Sequence, residues 1–340
     1  MRPTAKDLAK AAGVSLATVD RVLNGRPNVS RKAAAKVHEA IERTGFVRNI
    51  SAVNLARNTT YRFRFVLPEA GDQFLKEIMK EVGAANSALR SEMVSADVAQ
   101  IAIEDPHVVA NYLSSLDESK LDGVALFAPE SPQVRDAIGR LVERDIKVVR
   151  LLAGKEQADG VDFVGINNYA AGATAGRIVG RFVHHAQGSV MVISETMRAQ
   201  DSIERRLGFD AVINESFPHL RVLPSLETHA DIQRTRQVVS STLKYNADIV
   251  ALYVMSSEAR PPLACVSELI DLRDLVVVAH EHTPYCIDAL RTGEIDAVIA
   301  QNPGHAVRSA IRLMRARADN RLAAIESERL RIEILLKDNL

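Results

Sequence analysis

Only 2 cysteines occur in the 340 residues, Cys265 and Cys286, and their spacing is not that of a C-x-x-C metal or redox pair. They read as buried or free thiols in a reducing compartment. Nowhere do about 18 consecutive apolar residues occur, so no membrane span is expected. The opening "MRPTAKDLAKAAG" lacks the apolar core of a secretory signal, which sets the expectation of a soluble protein kept in the cytoplasm. No G-x-G-x-x-G follows the first strand-like run, and neither G-x-S-x-G nor a Walker-type phosphate loop is present. An enzyme reading therefore has no motif behind it, and no cofactor is expected. Tryptophan is absent and aromatics reach only 4%, within an otherwise globular composition that is 47% hydrophobic and 25% charged. A chain of this length exceeds one hydrophobic core and is expected to hold two or three domains.

Net charge is also missing, since 43 basic residues balance 43 acidic ones, but the balance is not local. Residues 1–60 carry 11 Lys or Arg against 4 acids, a net of +7, and the remainder carries −7. A basic head on an acidic body suggests an anionic partner for the head, because Lys and Arg gain free energy by displacing counterions from phosphates. The head itself reads as three helices. Thr4 with Asp7 has capping-box spacing, Gly13 stops the first helix, and Ser15 caps a second that ends at Asn24-Gly25. In that second helix Val19, Val22 and Leu23 face inward, leaving Leu16, Ala17, Thr18 and Arg21 outward. A third helix starts at Ser30 and runs to Gly45 as a brace. Two short helices joined by a glycine turn, with a brace, make a helix-turn-helix. Its second helix would lie in the major groove, with Arg21 bidentate to guanine and Leu16 and Ala17 on thymine methyls or other base edges. Thr4, Ser15, Thr18, Asn24, Asn28 and Ser30 are short polar groups suited to phosphates. A three-helix bundle that binds protein, or nothing, would not explain the charge together with the outward Leu-Ala-Arg surface.

The run "TAKDLAKAAGVSLATVDRVLNGRPNVS" resembles the DNA-binding head of the lactose-repressor (LacI/GalR) family of bacterial transcriptional regulators. It follows that family's T-x-x-D-x-A-x-x-A-G-V-S-x-x-T-V-x-R-V-L-N pattern, except that Asp20 stands where Ser is common. An acid there could orient Arg21 or repel phosphate. The next stretch, "VRNISAVNLARNTTY", resembles the family's hinge, a short helix formed on operator DNA. The resemblance puts Leu55 as a wedge in the minor groove, with Asn49, Ala52 and Ala56 beside it. Arg48 replaces the usual Pro.

From Tyr61 onward, β-branched runs such as "RFRFVLP", "GVALFAP", "KVVRLLA", "SVMVIS", "IVALYVM" and "LVVVAH" alternate with amphipathic helical stretches. Such alternation predicts parallel sheets covered on both faces, best divided into two doubly wound halves with a ligand cleft at their strand carboxyl ends. The expected class is thus α/β, with an all-α head at 1–47, a hinge at 48–60 and a core at 61–340. Within the core, 61–166 is grouped with 281–301, and 167–280 with 302–340. "ESERLRIEILLKDNL" alternates like a terminal strand.

This body resembles the effector core of the same family, itself similar to periplasmic sugar-binding proteins, through "VGINNYAAGATAG", "IERRLGFDAV" and "AVIAQNP". The resemblance implies that Arg205 and Gln301 face a ligand, with Asp72 and Phe74 on the first cleft loop and His280 and Glu281 at another strand end. Phe74 could stack on a sugar face or belong to the core, and Arg205 could instead belong to a solvated charge run. His280 and His282 alternate as metal ligands can, but no third ligand is set by spacing. "SSEARPP" replaces the family's Asn-Asp, leaving Ser257 and its neighbours as substitutes, and Glu130 stands in for a missing Ser-Asp. "GATAGRIVG" reads as close packing of a helix against a sheet. The expectation is an effector-controlled regulator, acting as a homodimer on pseudo-palindromic double-stranded operator DNA. Its effector would be a sugar or polyol, and its place the bacterial nucleoid, with no membrane partner. A sugar-handling enzyme and a solute-binding protein are the competing readings.

Overall fold

A computed structural model describes residues 3–23, 29–46, 60–69, 72–154, 161–319 and 330–340. The head consists of α1 (Ala5–Ala12), α2 (Leu16–Leu23) and α3 (Arg31–Thr44). Its small core is Leu8, Ala9, Ala12, Val19, Val37 and Ala40, with Phe46 packed against it. Left-handed Gly13 and Gly45 cap α1 and α3, and Arg43 donates to the Ala11 carbonyl at 2.6 Å, tying the brace to the end of α1.

The body begins with five strands and three helices: β1 (Tyr61–Pro68), α4 (Gln73–Ala88), β2 (Val94–Ile101), α5 (Pro106–Ser114), β3 (Gly123–Leu126), α6 (Pro132–Glu143), β4 (Lys147–Leu151) and β5 (Asp162–Val164). The strands form one parallel sheet in the order β2-β1-β3-β4-β5. Next come α7 (Asn168–Phe182), β6 (Gly188–Ser194), α8 (Gln200–Ser216), β7 (Leu220–Val222), β8 (Leu226–Glu227), α9 (Ile232–Tyr245), β9 (Ile249–Val254), α10 (Arg260–Ser267), β10 (Val276–His280), α11 (Pro284–Thr292), β11 (Ala297–Ala300), α12 (Pro303–Ala318) and β12 (Glu333–Leu335). The second sheet runs β12-β11-β10-β9-β6-β7, with β8 also on β6, and only its pairing of β11 with β12 is antiparallel. One face of the first sheet buries α5 and α6, one face of the second buries α9 to α11, and a third apolar cluster runs through both lobes. Central strands such as β6 are buried at every residue, as a sheet covered on both faces requires. β2 lies at an edge, and its first four residues alternate buried with exposed.

Two expectations about the body need correcting. Residues 281–301 do not join the first lobe, because β11 pairs with β10 in the second sheet. Conversely, α12 packs on the first sheet, where Met314 Sδ lies 3.0 Å from the position a Cβ on Gly123 would occupy. Arg317 grips Asp162 through two bonds of 2.7 Å, and Arg315 pairs with Glu92 at 2.6 Å, fixing α12 to that lobe. The chain then returns to the second sheet at β12. The glycine repeat of α7 is the other correction, since it meets a helix rather than a sheet. A Cβ on Gly172 would lie 1.9 Å from the Arg205 carbonyl oxygen, and one on Gly208 2.0 Å from that of Tyr169. Bare backbones on both sides let α7 and α8 touch.

Candidate functional site

The head presents its candidate surface on α2, whose entry is held by side-chain hydrogen bonds. The Thr18 amide donates to Ser15 Oγ at 3.1 Å, and the two hydroxyls bond each other at 2.8 Å. Thr4 and Asp7 form the expected capping box, with the Thr4 amide 2.8 Å from the carboxylate, and Ser30 caps α3. Val19 is fully buried while Leu16, Ala17 and Arg21 are exposed, Leu16 at 45%. An apolar pair beside one cation thus stands on the surface, without cover from the described residues. Asn24, Asn28, Asn49, Ala52, Leu55 and Ala56 lie outside the described residues.

In the body, bonds between lobes reveal which edges face each other. Asp72, after β1, accepts a hydrogen bond from the Ser257 hydroxyl, after β9. The neighbouring Gln73 side-chain oxygen accepts from the Tyr285 amide, after β10, at 3.3 Å. The carboxyl ends of both parallel sheets therefore oppose one another across a cleft, the place where such folds take ligands. Asp72 also caps α4, accepting from the Phe74 amide at 2.6 Å. Phe74 itself is 3% exposed and shares the core with Ile78 and Val82, so the core reading replaces stacking on a sugar. It lies at helical spacing from those residues and must point with them.

Arg205 organises the second lobe's side. Its guanidinium donates to Asn168 Oδ1 at 2.9 Å, to the Met255 carbonyl at 2.7 Å and to Glu281 Oε1 at 3.2 Å. The close crossing of α7 and α8 brings Asn168 to it. The side-chain nitrogen of Gln301 reaches the same Glu281 oxygen at 3.0 Å. Arg205, Glu281 and Gln301 are all at most 3% exposed, which excludes a solvated charge run for Arg205. Glu281 Oε2 and Gln301 Oε1 have no hydrogen-bond partner among the described residues. Burial pushes the Glu281 carboxyl up to about 7, against the opposing pull of Arg205. Glu281 also sits at φ 68°, a left-handed conformation unusual for this residue, held by its amide's bond to the Ile299 carbonyl.

The remaining expected residues are placed differently. His280 is fully buried, 2.8 Å from the Tyr253 hydroxyl, and burial followed by the Arg205 charge holds it well below its ordinary range. It is a core group beneath the site. Glu130 is committed to buried Arg150 at 2.6 Å. Among the described residues no three His, Cys, Asp or Glu stand where they could share a metal ion. Sequence reasoning missed Gln73, Arg150 and the carboxylates of Glu195 and Asp201. Arg150 was signalled by one charge inside the apolar run "KVVRLLA", and Glu195 by its position just after a wholly buried strand.

With this geometry in hand, comparisons place the chain among known proteins. Residues 4–49 match "Bacterial regulatory proteins, lacI family", and residues 63–322 match "Periplasmic binding protein domain". The regulator DegA of Bacillus subtilis is 28% identical over 179 residues, 52% of this chain and 51% of that protein. GalR of Escherichia coli is 39% identical over 79 residues, 23% of each chain. The chain spans about half the length, or less, of the curated relatives it matches. Among solved structures, a glucose-galactose binding protein of Geobacillus stearothermophilus superposes with TM-score 0.72 at 19% identity, covering 83% of this chain and 99% of that one. A putative LacI transcriptional regulator of Bacteroides fragilis gives 0.72 at 19% identity, covering 83% and 98%. At that identity the likeness is one of fold.

Proposed function

Since the chain belongs to the periplasmic binding protein domain family and carries a lacI-family regulatory head, we propose that it is a transcriptional regulator. It binds operator DNA through α2 and is controlled by a small molecule, a sugar or polyol, held in the cleft between its lobes. One observation carries the reading. An exposed Leu16-Ala17-Arg21 surface on a capped helix is joined in one chain to two sheets whose strand carboxyl ends oppose each other. Leu16 and Ala17 meet base edges, Arg21 reads guanine, and Ser15, Thr18 and Ser30 lie near phosphates. Two copies of the chain on a pseudo-palindrome would bring two α2 helices to half-sites about one helical turn apart. Asn49, Ala52, Leu55 and Ala56 then form the hinge that enters the minor groove between them.

Control follows from the lobes. A ligand that binds one lobe arrangement better than the other shifts the population, and the shift changes the spacing of the two heads. No turnover of the ligand is part of this scheme, and the protein acts in the bacterial cytoplasm at the nucleoid. The test is a gel-shift titration of the full chain against a pseudo-palindromic operator and a scrambled duplex. We expect preference for the palindrome and affinity that falls steeply with added salt. Equal binding to both duplexes would reject the reading.

A further inference from the structure

The chemistry of the cleft narrows the class of its ligand, an inference that rests on the cleft being the effector site. Carboxylates from both lobes gather at its strand ends. Asp72 follows β1, Glu104 follows β2, Glu195 follows β6, Asp201 lies in the first turn of α8, and Glu281 follows β10. Arg205 is the buried cation on the second lobe's side, and its charge is matched by Glu281. Asp72 is held by neutral donors, the Phe74 and Leu75 amides and the Ser257 hydroxyl, none of which cancels its charge. Although Glu195 as a residue is exposed, partial desolvation of its carboxyl and then Asp72, Asp201 and Glu104 push it above its ordinary range, with His229 acting in the opposite sense. These acids from two lobes therefore act on one another. A further observation points the same way. Three buried atoms at the ends of β10 and β11 lack partners among the described residues: Glu281 Oε2 and Gln301 Oε1, both acceptors, and His280 Nδ1, whose role depends on the tautomer, while the donor Arg150 Nε is in the same state at the end of β4.

A neutral or anionic occupant gives these carboxylates no counter-charge, which is costly where it displaces water from half-buried Asp72 and Asp201. An occupant rich in donors and carrying positive charge answers both features. We propose that the cleft takes a small protonated amine bearing hydroxyls, its ammonium group set among Asp72, Glu195 and Asp201 and its other donors on Glu281 and Gln301. Arg205 is then a positioning residue that holds Glu281 in place, while the Asp72–Ser257 and Gln73–Tyr285 bonds close the rim over the ligand.

The test uses thermal unfolding of the full chain at about pH 7.5 with matched probes. These are 1-amino-1-deoxy-D-glucitol, D-glucitol and D-glucitol 6-phosphate, then putrescine against 1,4-butanediol. The amino-glucitol is expected to stabilise at a concentration at least about tenfold lower than D-glucitol, since stabilisation follows ligand concentration over Kd. The phosphate should not stabilise, and putrescine should exceed the diol. In the Glu195→Gln, Asp201→Asn double variant the tenfold preference should shrink below about threefold. That variant loses like charges, so it should unfold cooperatively at or above the wild-type temperature. Stabilisation by D-glucitol or its phosphate at concentrations equal to the amine overturns the proposal while leaving a polyol site intact. No stabilisation by either amine also overturns it, and operator binding, measured separately, is untouched by either result.

Discussion

The head and the cleft solve opposite problems with surface. In the head, Leu16 and Ala17 are apolar side chains left in water, and Arg21 stands beside them on a helix whose own core needs only Val19, Val22 and Leu23. In the cleft, Arg205, Glu281 and Gln301 are polar groups taken out of water and bonded to one another. Removing a side chain from the first region should change binding and leave stability alone. Removing one from the second strands its partners and should cost both. A surface waiting for its partner and a site already assembled without one are thus distinguishable by the same pair of measurements.

The largest effect should come from the contact that builds the cleft wall. Gly208→Ala drives a Cβ to within 2.0 Å of the Tyr169 carbonyl, so we expect a loss on the order of 4 kcal/mol or more, with the core failing to melt cooperatively. The head should keep its helical signal, and circular dichroism of the variant checks both parts. Arg205→Ala should follow, at about 3–5 kcal/mol, because Glu281 would remain buried without its ion pair. Denaturant titration measures that loss. Ser15→Ala removes only the cap of α2, so about 1 kcal/mol is expected, confined to the head and read by amide exchange there.

The smallest net effect is one of pH, because two buried groups move stability in opposite directions. The folded Glu281 keeps its proton up to about 7, while the unfolded chain releases it near 4.5. The folded state therefore holds more protons in that window, and stability from this group falls as pH rises from about 4.5 to about 7. His280 works in the opposite sense, because the unfolded chain takes up a proton as pH drops through 6.5 and the buried ring does not. Glu281→Gln should remove the first dependence and leave the second. Melting temperatures between about pH 5 and about pH 8 test it.

The head was legible because its determinants are local. Caps, glycine stops and helical spacing lie within a few residues of what they control, and Thr4, Gly13, Ser15 and Ser30 fall where the structure uses them. The central strands of the body were legible for the same reason. The site was legible only in parts. Arg205, Glu281 and Gln301 were expected on the ligand, and what the structure shows is Arg205 and Gln301 both bonded to Glu281. Asp72 and Ser257, 185 residues apart, bond each other across the lobes, which no local pattern foretells. The placement of α12 on the first lobe escaped for the same reason. Its amphipathic face carries no mark of which sheet it covers, and Arg317 with Asp162 decides that only in three dimensions.

The central claim is that α2 offers a surface made for DNA and for nothing inside the protein. Arg21→Ala tests it most directly when operator affinity and melting temperature are measured on one preparation. We predict affinity for a pseudo-palindromic operator lowered by about 1–3 kcal/mol, roughly fivefold to 150-fold, with the melting temperature unchanged. Unchanged affinity, or a loss of stability that accounts for the lost binding, would contradict it.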